Sequence, residues 1–240
     1  MTDLKSISSY KNPNRKVGSQ SETPNIKIVG QNVHVSGYQN FIINKNTRVI
    51  TFQKKHQKFS YISQLLSNLN KTNDCNTIVD IGCNSGLSSF IASSQNFKNI
   101  LSLDHDPEYI NTLKKIKNEC KITNINERIF SFGNEINEKF DVVFCGAIIH
   151  WIFSLTANFR NFDSIIQYLL LSTEKYLVIE WICENDPAIR AFNHIKRNKK
   201  TGDEEYTTAN FEKSLNKYVN IISKHAVDGK TRIIYVLSKI

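Results

Sequence analysis

The run Thr77 to Gly86, TIVDIGCNSG, limits what this chain can fold into more than any other stretch. An apolar strand that stops on Asp80 and breaks at Gly82 and Gly86 before a helix is the front of a βαβ unit. Such a turn brings bare backbone amides up to a nucleotide-like ligand. A second apolar run, Ile100 to Leu103, stops on Asp104, eighteen positions beyond Gly86. An acid there is placed to hold ribose hydroxyls. The pair predicts a parallel α/β sheet with a cofactor pocket beyond the carboxyl ends of its strands.

The rest of the chain extends that pattern. Strands are predicted at Ile78 to Ile81, Ile100 to Asp104, Ile129 to Phe132, Phe140 to Cys145 and Tyr176 to Trp181. Helices are predicted at Leu87 to Ser94, Tyr109 to Lys117 and Phe162 to Leu171. This alternation implies a mostly parallel sheet with helices on both faces. Tyr218 to His225 and Thr231 to Ser238 flank Asp228-Gly229, a hairpin signal. Upstream, Phe59, Ile62, Leu65, Leu66 and Leu69 recur at helical spacing. Residues 36–57 read as a hairpin or lid, with two short strands around Asn44, Lys45 and Asn46. Residues 1–35, rich in Ser, Asn and Lys with Pro13 and Pro24, show no apolar period and are expected to form a disordered basic arm. Residues 36–240 then make a single domain, with its core at 58–240 and an insertion at 183–208.

The turn chemistry narrows the cofactor. The dinucleotide fingerprint G-x-G-x-x-G would need glycine at positions 84 and 87, where this chain has Asn84 and Leu87. Its D-x-G-x-N-x-G resembles motif I of the class I S-adenosylmethionine-dependent methyltransferases, written as an acid followed by G-x-G-x-G. LSLDHDPEYI resembles the family's second cofactor motif, and KFDVVFCGAIIHW its strand and loop facing the methyl acceptor. The resemblance spans roughly residues 58 to 240. It implies a Rossmann-like α/β sheet of seven strands, mostly parallel and closed by a C-terminal antiparallel hairpin. It also implies S-adenosyl-L-methionine as cofactor, held by Asp80, Gly82, Cys83, Asn84, Gly86, Asp104, His105 and Gly146. Asn84 departs from the family's middle glycine, which is tolerable because Asn enters left-handed backbone conformations readily.

Gly146 to Trp151 follow the fourth strand and are expected to face the transferred methyl group. His150 is the candidate general base, since imidazole titrates near neutral pH. The alternative is that His150 and Trp151 only wall the pocket. Glu180, the last acid of the fifth strand, either orients the acceptor or His150, or is a strand-end acid paired with a basic neighbour. The loop lacks the Asn/Asp-Pro-Pro-aromatic run seen in enzymes resembling the planar-amine methylases, the Pro-Cys of cytosine C5 enzymes, and the carboxylates of metal-dependent O-methyltransferases; no catalytic metal is expected. In the insertion, Arg190 and His194 precede further basic residues, a composition that suits a polar or anionic acceptor and equally describes a solvated helix.

D-I-G-C-N-S-G, D-H-D-P, I-H-W and I-E-W together resemble a subgroup whose O-methylating domains act on sugars and other small molecules. The expected activity is methylation of a hydroxyl on a glycan or small-molecule acceptor. The alternatives are an RNA methyltransferase using the basic arm, and a catalytically inactive methyltransferase-fold adaptor.

Charge does not decide among these. The net charge is +9, but residues 1–76 carry 11 Lys and Arg against 3 Asp and Glu, while residues 77–182 carry 9 against 12. The arm is basic and the core mildly acidic. The chain also holds 28 asparagines beside abundant Lys and Ile, so part of the basic charge follows composition. Five scattered cysteines without a metal-ligand spacing favour reduced thiols and a cytoplasmic location. No apolar run reaches the roughly 18 residues that span a bilayer. Oligomeric state leaves no trace in the sequence.

Overall fold

The computed structural model describes residues 23–52, 57–156, 158–191 and 204–240. Its centre is a seven-stranded sheet in the order β10-β11-β9-β8-β5-β6-β7. β5 (Thr77–Ile81), β6 (Asn99–Asp104), β7 (Ile125–Ile129), β8 (Phe140–Cys145) and β9 (Thr173–Ile182) are mutually parallel. β10 (Val219–Val227) and β11 (Arg232–Lys239) form the antiparallel hairpin, and β11 pairs antiparallel with β9. The chain moves outward from β5 through β6 to β7, then returns to β8 on the other side of β5. That reversal is a topological switch point, where an open parallel sheet leaves a crevice beyond its strand ends.

Helices α1 (Gln57–Asn73), α2 (Leu87–Ser94) and α3 (Pro107–Glu119) precede the return to β8; α4 (Ile149–Leu155), α5 (Phe162–Leu171), α6 (Pro187–Ala191) and α7 (Thr208–Tyr218) follow it. The sheet separates two cores. Val79, Ile81, Val143, Cys145, Ile179 and Trp181 face one, with Phe162 and Phe211; Ile78, Val142, Phe144 and Val178 face the other, with Phe90 and Leu113. This is the period of two of strands buried on both faces.

A second sheet, β1 (Asn25–Val29), β2 (Asn32–Ser36), β3 (Phe41–Asn44) and β4 (Ile50–Phe52), is antiparallel throughout. β3 and β4 are the two short strands expected between Tyr38 and Phe52. β1 and β2 correct the expectation that all of residues 1–35 lack structure: they pair from Asn25↔Ser36 to Val29↔Asn32 across a turn at Gly30. Their signal is weak because β1 is almost wholly exposed, whereas Val33 and Val35 of β2 are fully buried in the same core as Phe90. Residues 1–22 lie outside the described residues.

Two further expectations are corrected. The third parallel strand is Ile125–Ile129, not Ile129 to Phe132. Pairing with β6 fixes it through Ile100↔Ile125, and the apolar Phe130 and Phe132 come after it, packing into the core as loop residues. The segment after β8 is no open loop either: from Ile149 it is helix α4, with His150 buried on it.

Candidate cofactor and acceptor site

The parallel register brings the site residues into one row. Ile81 pairs with Leu103 and Cys145, and Cys145 pairs with Ile179. Gly82, Asp104, Gly146 and Glu180 each stand one residue beyond that row, side by side along the carboxyl edge, although 98 positions separate the first from the last in sequence.

The turn after β5 is sewn to β6. The amides of Gly82 and Cys83 both donate to the Leu103 carbonyl, at 2.8 and 3.0 Å. Gly82, Asn84 and Gly86 have φ of 77°, 53° and 88°, so three alternate residues are left-handed. Asn84 holds the conformation expected of it, and its Oδ1 accepts from the Ser85 amide at 2.8 Å. Gly82 and Gly86 have a second reason to be glycine. A Cβ on Gly82 would lie 2.5 Å from Cγ2 of Ile148, and one on Gly86 would lie 2.6 Å from Cδ1 of Leu113.

Asp104 is tied to this turn. Its Oδ2 accepts from the Asn84 amide at 2.8 Å, and its Oδ1 from the Asp106 amide at 3.0 Å. His105 Nδ1 lies 3.2 Å from the same Oδ1, and that hydrogen bond raises the imidazole pKa above its ordinary value against the opposing effect of burial. A carboxylate offers about four lone-pair sites, so three such contacts leave room for a ligand hydroxyl. The left-handed turn, the bare glycines and this carboxylate fit an adenosyl cofactor.

Asp80 sits behind the turn. Its Oδ2 accepts from Ser89 Oγ at 2.7 Å, and Ser89 Oγ accepts from Ser102 Oγ at 2.7 Å, all three side chains being buried. Burial pushes the Asp80 carboxyl up to about 7, with the Ser89 hydrogen bond pulling the other way. Asp80 therefore links β5 to the first turn of α2.

On the β8–β9 side, Glu180 is 3% exposed yet doubly paired. Its Oε1 lies 3.1 Å from Lys58 Nζ and 3.6 Å from Arg232 Nη1. Its Oε2 would be 3.9 Å from a Cβ on Gly146. Trp181, the next residue, turns to the opposite core and stacks on Phe211 at 4.2 Å, which locks the strand end. Arg232 also reaches Asp186 Oδ2 at 3.4 Å. Burial opposes ionisation of Asp186, but Thr231, the Ala188 amide and Arg232 together hold its carboxyl below the usual range.

Comparison with known proteins agrees with this geometry. The family model of the ribosomal protein L11 methyltransferase (PrmA) matches residues 55–172. The fold is shared with the N-methyltransferase NodS from Bradyrhizobium japonicum WM9, solved with S-adenosyl-L-homocysteine: TM-score 0.56, 11% identity, 75% of this chain and 86% of that one covered. Model and fold together support a class I S-adenosylmethionine-dependent methyltransferase. WbdD, called a bifunctional kinase-methyltransferase, matches with TM-score 0.59 and 17% identity over 78% of this methyltransferase and 40% of its own chain. The ribosomal protein L11 methylase from Lactobacillus delbrueckii subsp. bulgaricus gives 0.52 and 15%, over 78% and 80%. At these identities the likeness is one of fold. No curated protein matches the methyltransferase in sequence.

Of the residues singled out from sequence, Gly82, Asn84, Gly86 and Asp104 converge on the turn, with Gly146 and Glu180 beside it in the row. Cys83 is buried, and burial drives its thiol pKa well above the ordinary value. His105 is exposed beside Asp104. His150 is buried on α4 with its ring 5.2 Å from that of Trp151, which is 37% exposed. Arg190 is exposed on α6, and His194 lies outside the described residues. Sequence reasoning missed Lys58, Arg232 and Gln39. Arg232 was within reach, because a hairpin returning beside the fifth strand must carry some residue past Glu180. The other two have no local signal.

Proposed function

We propose that this methyltransferase acts on an acceptor that presents an O–H or N–H group between the cofactor turn and Glu180. S-adenosylmethionine supplies an electrophilic methyl on a sulfonium; the acceptor's lone pair forms the new bond as the carbon–sulfur bond breaks onto sulfur. Asp104 holds the ribose hydroxyls and the 82–86 turn holds the rest of the cofactor. Glu180 carries the reading. With Oε1 fixed by Lys58 and Arg232 and Oε2 turned towards Gly146, it can accept the acceptor's hydrogen bond and then its proton. His150 and Trp151 wall the pocket.

A hydroxyl of a glycan or small molecule meets this requirement. A protein acceptor is the second reading, favoured by the match to the ribosomal protein L11 methyltransferase model. The test is mass analysis of products after incubation with labelled cofactor and separate glycan, small-molecule, protein and RNA pools. Label on an oxygen or nitrogen of one pool is the expected result. Transfer confined to RNA would replace both readings, and binding of S-adenosylhomocysteine without transfer to any pool would favour an inactive adaptor.

A further inference from the structure

The cofactor turn is completed by a residue from outside the large sheet. Gly86, at the N-cap of α2, has no side chain with which to cap the helix, so the Leu87 amide is one of the helix's orphan donors. Gln39, half-buried in the loop between β2 and β3, fills this gap. Its Oε1 accepts from the Leu87 amide at 3.1 Å, and its Nε2 donates to the Cys83 carbonyl at 3.3 Å. That carbonyl also takes the Gly86 amide at 2.9 Å, so one primary amide spans the turn from its second residue to the first residue of the helix. The loop is itself closed by Asn40 Nδ2 on the Gly37 carbonyl at 3.0 Å, and anchored by Phe41, whose ring lies 6.0 Å from that of Phe90 on α2.

We propose that Gln39 is a positioning residue for the cofactor, and that the small N-terminal sheet is a clamp holding the 82–87 turn in its binding conformation. Three alternate left-handed residues, two of them glycines with the widest conformational freedom, make a turn whose shape its neighbours must hold. Asp104 holds the turn at Asn84 from the end of β6, and Gln39 holds it at Leu87 from the β2–β3 loop. The inference rests on the methyl-transfer reading, in that the ligand expected in the turn is the adenosyl cofactor.

The test is calorimetric titration of S-adenosylhomocysteine into the full chain, with amide hydrogen exchange across Cys83 to Leu87. Gln39→Ala and the near-isosteric Gln39→Met both remove the two hydrogen bonds. Both should raise the dissociation constant about three- to tenfold, the worth of one or two neutral hydrogen bonds, and speed exchange at Leu87. Leu169→Ala thins the opposite core on α5, away from this loop; it should lower the melting temperature with affinity nearly unchanged. Wild-type affinity and exchange in Gln39→Met would overturn the clamp. If the intact protein bound no S-adenosylhomocysteine, the methyl-transfer reading would fail, and the exchange rates alone would decide whether Gln39 holds the turn.

Discussion

Asp80 is a carboxyl held almost without water, and that has a consequence for stability. Its folded pKa, about 7, lies above the unfolded value of about 4, so the native state binds its proton more tightly. The associated stability is fully present below about pH 4 and is lost as pH rises towards 7. Asp80→Asn keeps an oxygen for Ser89 and removes the titration. Its stability relative to wild type, from urea denaturation, should improve steadily between pH 4 and pH 8; a constant difference would mean that Asp80 stays ionised. Glu180 and His150 are separated by kinetics. With an acceptor in hand, Glu180→Gln should lower kcat about 10²-fold with little change in cofactor affinity, while His150→Ala changes kcat by less than about tenfold. The reverse pattern, with a loss of activity at low pH that vanishes in His150→Ala, would make His150 the base.

At the scale of elements, the turn between β5 and α2 makes unequal demands on its residues. Gly86→Ala adds a methyl 2.6 Å from Leu113 at a φ of 88°, and should cost roughly 1–3 kcal/mol in denaturation experiments. Asn84→Gly only restores freedom at a position already left-handed, and should leave S-adenosylhomocysteine affinity within about twofold. This turn was legible because its chemistry is local: glycines and Asn where φ is positive, acids where strands stop. β7 and α4 were not. The apolar Ile129 to Phe132 imitates a strand, yet Phe130 is buried and Phe132 half-buried as loop residues, and the ladder is set by partners in β6. His150 looked like a loop residue because no capping side chain marks the start of α4.

Across the whole molecule, the mostly parallel sheet, its closing hairpin and the strand ends before Gly82, at Asp104, before Gly146 and at Glu180 were legible in the sequence, whereas the spatial order of the strands and the row those residues form are set by pairing. What could not be read was tertiary. Lys58 reaches Glu180 from 122 positions away, and Gln39 reaches Leu87 from 48. The small sheet also changes what truncation should do. Removing residues 1–36 takes out Val33 and Val35, each worth about 1.5–3 kcal/mol when buried, and should lower the denaturation midpoint markedly. An unchanged midpoint would show that the small sheet adds nothing to the core. The central claim is that the carboxyl edge around Asp104 binds the adenosyl cofactor, and calorimetry of S-adenosylhomocysteine with wild type and Asp104→Ala tests it most directly. The account predicts binding by the intact protein and a loss of about 1.5–3 kcal/mol in the variant, the worth of hydrogen bonds to a charged group. No binding to the intact protein, or equal binding by the variant, would contradict it.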